Sequence, residues 1–171
     1  MRPFLTFFLC IVTTMVFSQS DSLVLFKDAD RFEIGVPSGW QYGPSQGLPL
    51  VAQRRTTETA DRSHVGFNVN IIGKRAPSSV DREYGKLIGY LRSTNNFQLL
   101  EQDTITIKGQ PCRWFVENHR NEIDGTTLTC NYVFITYKND RTYIVTFSLS
   151  PADLPKYRPL FDKIAGTLVI Y

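Results

Sequence analysis

The chain has 171 residues, 19 basic against 16 acidic side chains, and a formal net charge of +3. A balance that mild excludes a nucleic-acid binder driven by charge alone, and the charges are interspersed as on an ordinary soluble surface. Beyond the N-terminus no segment reaches the length of about 20 apolar residues that a membrane-spanning helix needs.

The chain opens Met1-Arg2-Pro3 and continues with an apolar run from Phe4 to Phe17. A charged start followed by a short apolar run is the pattern of a secretory signal peptide. Val16 and Ser18 suit a cut after residue 18, and Ser18 with Ser20 suits a cut after residue 20. Cys10 follows the bulky Leu9, whereas a lipid-modified cysteine needs a small residue before it. The expectation is a signal peptide over 1–18 and one exported domain over 19–171, periplasmic or secreted, with no membrane span in the mature chain. Such a length can bury a core without staples.

Leu23 to Lys27 reads as a short strand, Asp28-Ala29-Asp30 as a turn, and Phe32 to Val36 as an alternating strand that ends at Pro37. Trp40 then plugs the core edge. Gln41 to Pro49 holds Gly43, Pro44 and Gly47 and reads as a loop. Leu50 to Arg54 can be a strand, residues 54–63 a surface loop, and His64 to Ile72 a strong strand. In that strand Val65, Phe67, Val69 and Ile71 take one face and Asn68 and Asn70 the other. Ser78 with Asp81 resembles a capping box, followed by a helical stripe of Val80, Tyr84, Leu87, Ile88 and Leu91.

From Phe97 to Ser150 the pattern is an antiparallel meander, because its connections are too short for parallel crossovers. Turns fall at Lys108-Gly109-Gln110-Pro111, at Asp124-Gly125 and at Lys138-Asn139-Asp140. Tyr132 and Phe134 share one face, and Val133, Ile135 and Tyr137 the other, so cover is expected on both sides. A closing helix carries Tyr157, Phe161, Ile164, Ala165 and Leu168. Pro159 conflicts with it, so the helix starts as late as Arg158 or kinks there. Leu168 to Tyr171 is a candidate edge strand.

Cys112 and Cys130 are candidates for a disulfide, since export favours pairing. A two-residue turn at Asp124-Gly125 argues against it. It would place Cys130 opposite His119 and Cys112 opposite Tyr137, several residues out of step. A longer loop from Asn121, or a bulge, would bring them together.

No phosphate-cradling loop, zinc-protease helix, serine elbow or redox cysteine pair occurs. Cys112 and His119 could form a thiol–base pair, but their odd spacing puts them on opposite faces of one strand. His64 and His119, with Asp61 or Glu117, could ligate a metal, yet histidines on separate strands are more often merely exposed. Asp28 and Asp30 start like a calcium loop whose remainder is missing. No catalytic residue, cofactor or metal is therefore expected. Arg54 and Arg55 with Arg62, and Lys74 and Arg75 with Arg82, form basic patches. These are either solvated loops or docking points for an acidic partner. The candidate binding residues are Trp114, Asn68, Asn70, Arg54 and Arg55.

Several of these segments fall in an order that resembles the PsbP-like family, which includes extrinsic photosystem II proteins and bacterial envelope relatives. Phe32 to Trp40 is similar to its opening strand and Pro-x-Gly-Trp turn, and Phe67-Asn68-Val69-Asn70-Ile71 to its next strand. Ile107 to Pro111 resembles its Gly-x-Pro hairpin, Arg141 to Ser148 its penultimate strand, and Tyr157 to Leu168 its closing helix. The resemblance implies an α+β fold, an antiparallel β-sheet meander flanked by helices on both faces (an α/β/α sandwich). It also implies a non-enzymatic binding or assembly module of the cell envelope, acting on an unknown envelope protein. A carrier of a small apolar ligand or lipid is the alternative. A small hydrolase using His119, Glu117 or Cys112 is the third.

Overall fold

The computed structural model describes residues 22–55, 64–74, 76–93, 96–120 and 127–171. The expected signal peptide with both expected cut sites, Asp61, Arg62, Arg75 and the expected Asp124-Gly125 turn lie outside these residues.

The first hairpin joins β1 (Leu23–Asp28) to β2 (Phe32–Pro37), with Asp28 opposite Phe32. Every residue of β2 except Glu33 is buried. Gly35 fits closely there: a Cβ would stand 2.8 Å from Leu23 Cδ1 and 3.1 Å from Thr167 Oγ1, so both side chains would have to give way. Its N–H donates to that same Thr167 oxygen at 2.7 Å.

The expected loop over Gln41 to Pro49 is instead a hairpin, β3 (Gln41–Ser45) and β4 (Leu48–Gln53), turned at Gln46-Gly47. Pro44 is tolerated because β3 is an edge strand, with a register shift between Gly43 and Ser45. Next come β5 (Gly66–Gly73) and α1 (Val80–Ser93). The cap of α1 is Ser79 rather than Ser78: Arg82 N–H donates to Ser79 Oγ at 3.2 Å, while Ser78 Oγ–H donates to Glu83 at 2.5 Å.

The meander follows as β6 (Gln98–Ile107), β7 (Gln110–Arg120), β8 (Leu128–Lys138) and β9 (Arg141–Leu149). Two of its turns, Lys108-Gly109 and Asn139-Asp140, hold positive φ at both central residues. That geometry matches the twist of a tight hairpin. A short 3-10 turn over Pro151–Asp153 leads into α2 (Leu154–Ala165), and the chain closes with β10 (Val169–Ile170). Pro155 lies in the first turn of α2. Pro159 sits inside the helix without ending it: both prolines are exposed, so water can serve the carbonyl of Pro155 that Pro159 cannot bond. The late start at Arg158 is thus corrected to Leu154.

The strands form two sheets. One has the order β1-β2-β10, and the other β3-β4-β5-β9-β8-β7-β6. Alternate residues of the large sheet belong to two cores. Tyr132, Phe134, Val145 and Phe147 pack with Phe32 and Ile34 of the small sheet and with Phe161 and Ile164 of α2. Phe115, Val133, Ile135 and Ile144 pack with Tyr84 and Ile88 of α1, joined by Leu87 and Leu91. The face opposite α1 is therefore covered by a mixed layer of three strands and a helix, not by a helix alone. Phe161, fully buried, stacks on Phe147 at 4.4 Å and on Tyr157 at 6.0 Å. No helix among the described residues is long and apolar enough to cross a membrane.

Candidate functional site

α1 covers only part of its face of the large sheet. Its residues reach β7 and β8, while among the described residues no helix packs over the same face of β3, β4 and β5. Register shows which side chains share that open face: Val51 pairs with Asn68, Gln53 with Gly66, and Gly66 with Ser148. These residues line a cleft of ≈ 870 Å³ whose rim includes Arg54, Arg55 and His64.

Three of the candidate binding residues, Arg54, Arg55 and Asn68, thus converge on one cleft. Arg54 is anchored, its Nη1 donating to Tyr157 Oη at 2.8 Å with the guanidinium 5.8 Å from the same ring. Arg55 is exposed. Asn70 lies one step further along β5, opposite Ile144 and outside the cleft. Trp114 is on the other face of the sheet. It is half-buried, edge-on to Tyr132 at 5.5 Å, with the Arg158 guanidinium 5.3 Å over its ring. Arg158 is itself clamped by Glu101 through bonds of 3.1 and 2.8 Å. Trp114 therefore serves packing of α2 against the sheet and does not join the asparagines.

From the cleft a polar strip crosses three strands. Ser148 Oγ–H donates to Asn131 Oδ1 at 2.7 Å, and Asn131 Nδ2–H donates to Glu117 Oε1 at 2.6 Å. His119 Nδ1 stands 3.1 Å from that same carboxylate oxygen. Glu117 is only 2% exposed. Burial pushes its carboxyl above the usual carboxylate range, against the opposing pull of His119 and Asn131. Sequence reasoning missed Ser148 and Asn131.

Ser148 gives its proton to an amide, which cannot act as a base. Cys112 belongs to the core opposite α1, whereas His119 shares the α1 face with Glu117, so no thiol–base pair forms. Burial also pushes the Cys112 thiol up to about 12 and the Cys130 thiol up to about 11, leaving both as small neutral groups. Cys112 and Cys130 are free and buried. Cys112 stands opposite Thr136 and Cys130 opposite Asn118, one residue off the expected register. The thiols are still about 20 Å out of step along the strands, so no bridge can close. His64 and His119 flank strands three steps apart, about 14 Å by strand spacing, which is too far for one metal ion.

No family model matches the chain, and no curated protein matches its sequence. Solved structures do match. Cyanobacterial PsbP from Synechocystis sp. PCC 6803 superposes with a TM-score of 0.64 at 15% identity, covering 88% of this chain and 94% of that one. The Ran-binding protein Mog1p of Saccharomyces cerevisiae gives 0.59 at 13% identity, with 87% and 96% covered. LpqN of Mycobacterium tuberculosis, involved in cell envelope biogenesis, gives 0.54 at 12% identity, with 87% and 89% covered. At these identities the likeness is one of fold: the described residues form an α+β fold of two antiparallel sheets and two α-helices, similar to that of cyanobacterial PsbP.

Proposed function

We propose that the chain is an exported, non-enzymatic binding module of the cell envelope that docks a protein partner in the cleft along β3, β4 and β5. The observation that carries this reading is the convergence of Arg54, Arg55, His64, Asn68 and Ser148 on one open, mixed polar and apolar surface. Such a surface offers hydrogen bonds and a basic rim to an acidic partner, with Val51 and Leu48 as apolar footholds. Two proteins of this fold support a role through contacts: one is named as binding Ran, the other as serving envelope biogenesis. A lipid carrier is less well supported, because the cleft is a surface groove and the cavity beside β10, at ≈ 180 Å³, is small for an acyl chain.

Site-specific photocrosslinking tests the reading. A photoreactive residue at Val51 should trap a saturable adduct in cells that make the protein, and the adduct should vanish in Arg55→Glu. A probe at Tyr90, exposed on α1, should trap none. Equal labelling from both positions, or an adduct indifferent to Arg55→Glu, would overturn the docking site.

A further inference from the structure

A second cavity, distinct from the cleft, lies where the β6–β7 turn and the end of β8 meet the C-terminal strand. Its volume is ≈ 180 Å³. The buried part of its lining is Ile107, Leu168, Ile170 and Cys112, with Thr136 as its one polar member. Cys112, with its thiol held neutral by burial, behaves there as a small hydrophobe. The outer part is cationic. Lys108 is exposed on the turn and Lys138 is half-buried on β8.

Charge at that mouth is uncompensated. Among the described residues that line the cavity none is acidic, and Lys108 has no ion-pair partner among the described residues. Lys138 Nζ donates to the Ile170 carbonyl at 2.5 Å, a bond that places the ammonium but leaves its charge unpaired. The polar walls are already fixed: Gln110 Nε2 donates to Tyr137 O at 2.9 Å and Thr136 Oγ1 donates to Pro111 O at 2.6 Å. The cavity is therefore shaped before anything enters it.

We propose that this cavity is a ligand site for a compact hydrophobic carboxylate, a branched-chain or aryl group bearing one carboxylate. The size argument is direct, since an apolar cavity of about 150 Å³ accommodates benzene. The apolar body would fill the space over Leu168 and Ile170 while the carboxylate meets the ammonium groups of Lys108 and Lys138. Such a group exists both as a free acid and as the C-terminal residue of a polypeptide.

Phenylacetate, phenylacetamide and a short peptide ending in a free-carboxylate phenylalanine separate these cases by amide chemical-shift titration of the full mature chain. Phenylacetate should produce saturable shifts at Lys108, Thr136 and Leu168, in the millimolar to sub-millimolar range suited to so few heavy atoms. Phenylacetamide should bind at least about tenfold more weakly, since it loses both charge-assisted contacts, as should phenylacetate to Lys108→Glu, which loses one and gains a repelling carboxylate. The exposed turn position of Lys108 keeps that variant folded. A peptide that binds more tightly than phenylacetate identifies the source as a polypeptide C-terminus; a weaker one identifies the free acid. Absence of saturable shifts, equal binding of acid and amide, or indifference to Lys108→Glu overturns the site. Arg55→Glu should leave phenylacetate binding unchanged, so failure here is separable from failure of the docking cleft.

Discussion

Replacing Glu83 by glutamine should cost the protein about 3 kcal/mol at neutral pH and almost nothing in strong acid. Glu83 is 3% exposed at the start of α1. It accepts hydrogen bonds from Ser78 at 2.5 Å and Thr142 at 3.3 Å, and pairs with Lys74 at 2.6 Å and Lys86 at 2.8 Å. Burial alone would raise its carboxyl, but the bonds from Lys74, Lys86 and Ser78 outweigh burial and pull it from the ordinary 4.5 down to about 2. A depressed native value means the unfolded chain takes up protons first. Stability from Glu83 is then fully present above pH 4.5 and lost as pH falls toward 2. A shift of that size corresponds to about 3 kcal/mol, at the lower edge of the usual cost of breaking a buried ion pair. Urea unfolding followed by the fluorescence of Trp40 and Trp114 reads it out. At neutral pH the glutamine variant should unfold at lower urea, and in a thermal scan its midpoint temperature should be lower by roughly 6–12 °C. Near pH 2.5 the two proteins should fall within about 1 kcal/mol of each other. Asp81→Asn is the control, since Asp81 is 75% exposed and 3.6 Å from Arg113 and should cost no more than about 0.5 kcal/mol. A gap that stays constant with pH, or one below about 1 kcal/mol at neutral pH, would refute the reasoning.

Glu117→Gln should act with the opposite sign. The native carboxyl is raised, so its stabilising neutral form is progressively lost as pH climbs through the native value. The wild type should therefore lose stability as pH rises from the ordinary carboxylate value through the raised native one, where the glutamine variant stays flatter, as urea midpoints would show. Phe161→Ala removes a fully buried ring from between Phe147 and Tyr157 and should cost about 3–5 kcal/mol in the same assay. Thr167→Val leaves the Gly35 N–H without its acceptor at a buried position and should cost about 1–3 kcal/mol, whereas Thr167→Ser should restore most of it.

Strong periodicity made some elements readable. β5 alternates, β8 and β9 carry bulky residues on both faces between clear turns, and α1 shows its stripe because one face is buried and the other is not. β3 escaped detection for the converse reason: as an edge strand it is largely exposed on both faces, so burial imposes no alternation, and Gly43 and Pro44 read as loop. Ser78 and Ser79 are chemically equivalent as caps, and only the carboxylate of Glu83 decides between them. The small sheet was illegible because β2 and β10 pair across almost the whole chain, and no local pattern records a distant partner. At the site, Arg54, Arg55 and Asn68 stood out as charge or amide beside a strand. Ser148 and Asn131 did not, since a single polar residue in a strand is ordinary. Their signal lies across strands: Glu117, Asn131 and Ser148 continue the line of Phe115, Val133 and Ile144 in polar form, visible only once register is known.

The pairing of β2 with β10 ties assembly to the order of synthesis. Phe32 waits beside an unfilled edge until Ile170, made more than a hundred residues later, arrives to bond it. Whatever emerges first from a ribosome or a translocation channel cannot lock on its own, so the two strands must find each other late, across a long loop-closure search. A cut after Leu168 would strip β10, bare one side of β2, and leave a hydrophobic strand able to recruit a neighbouring chain in its place.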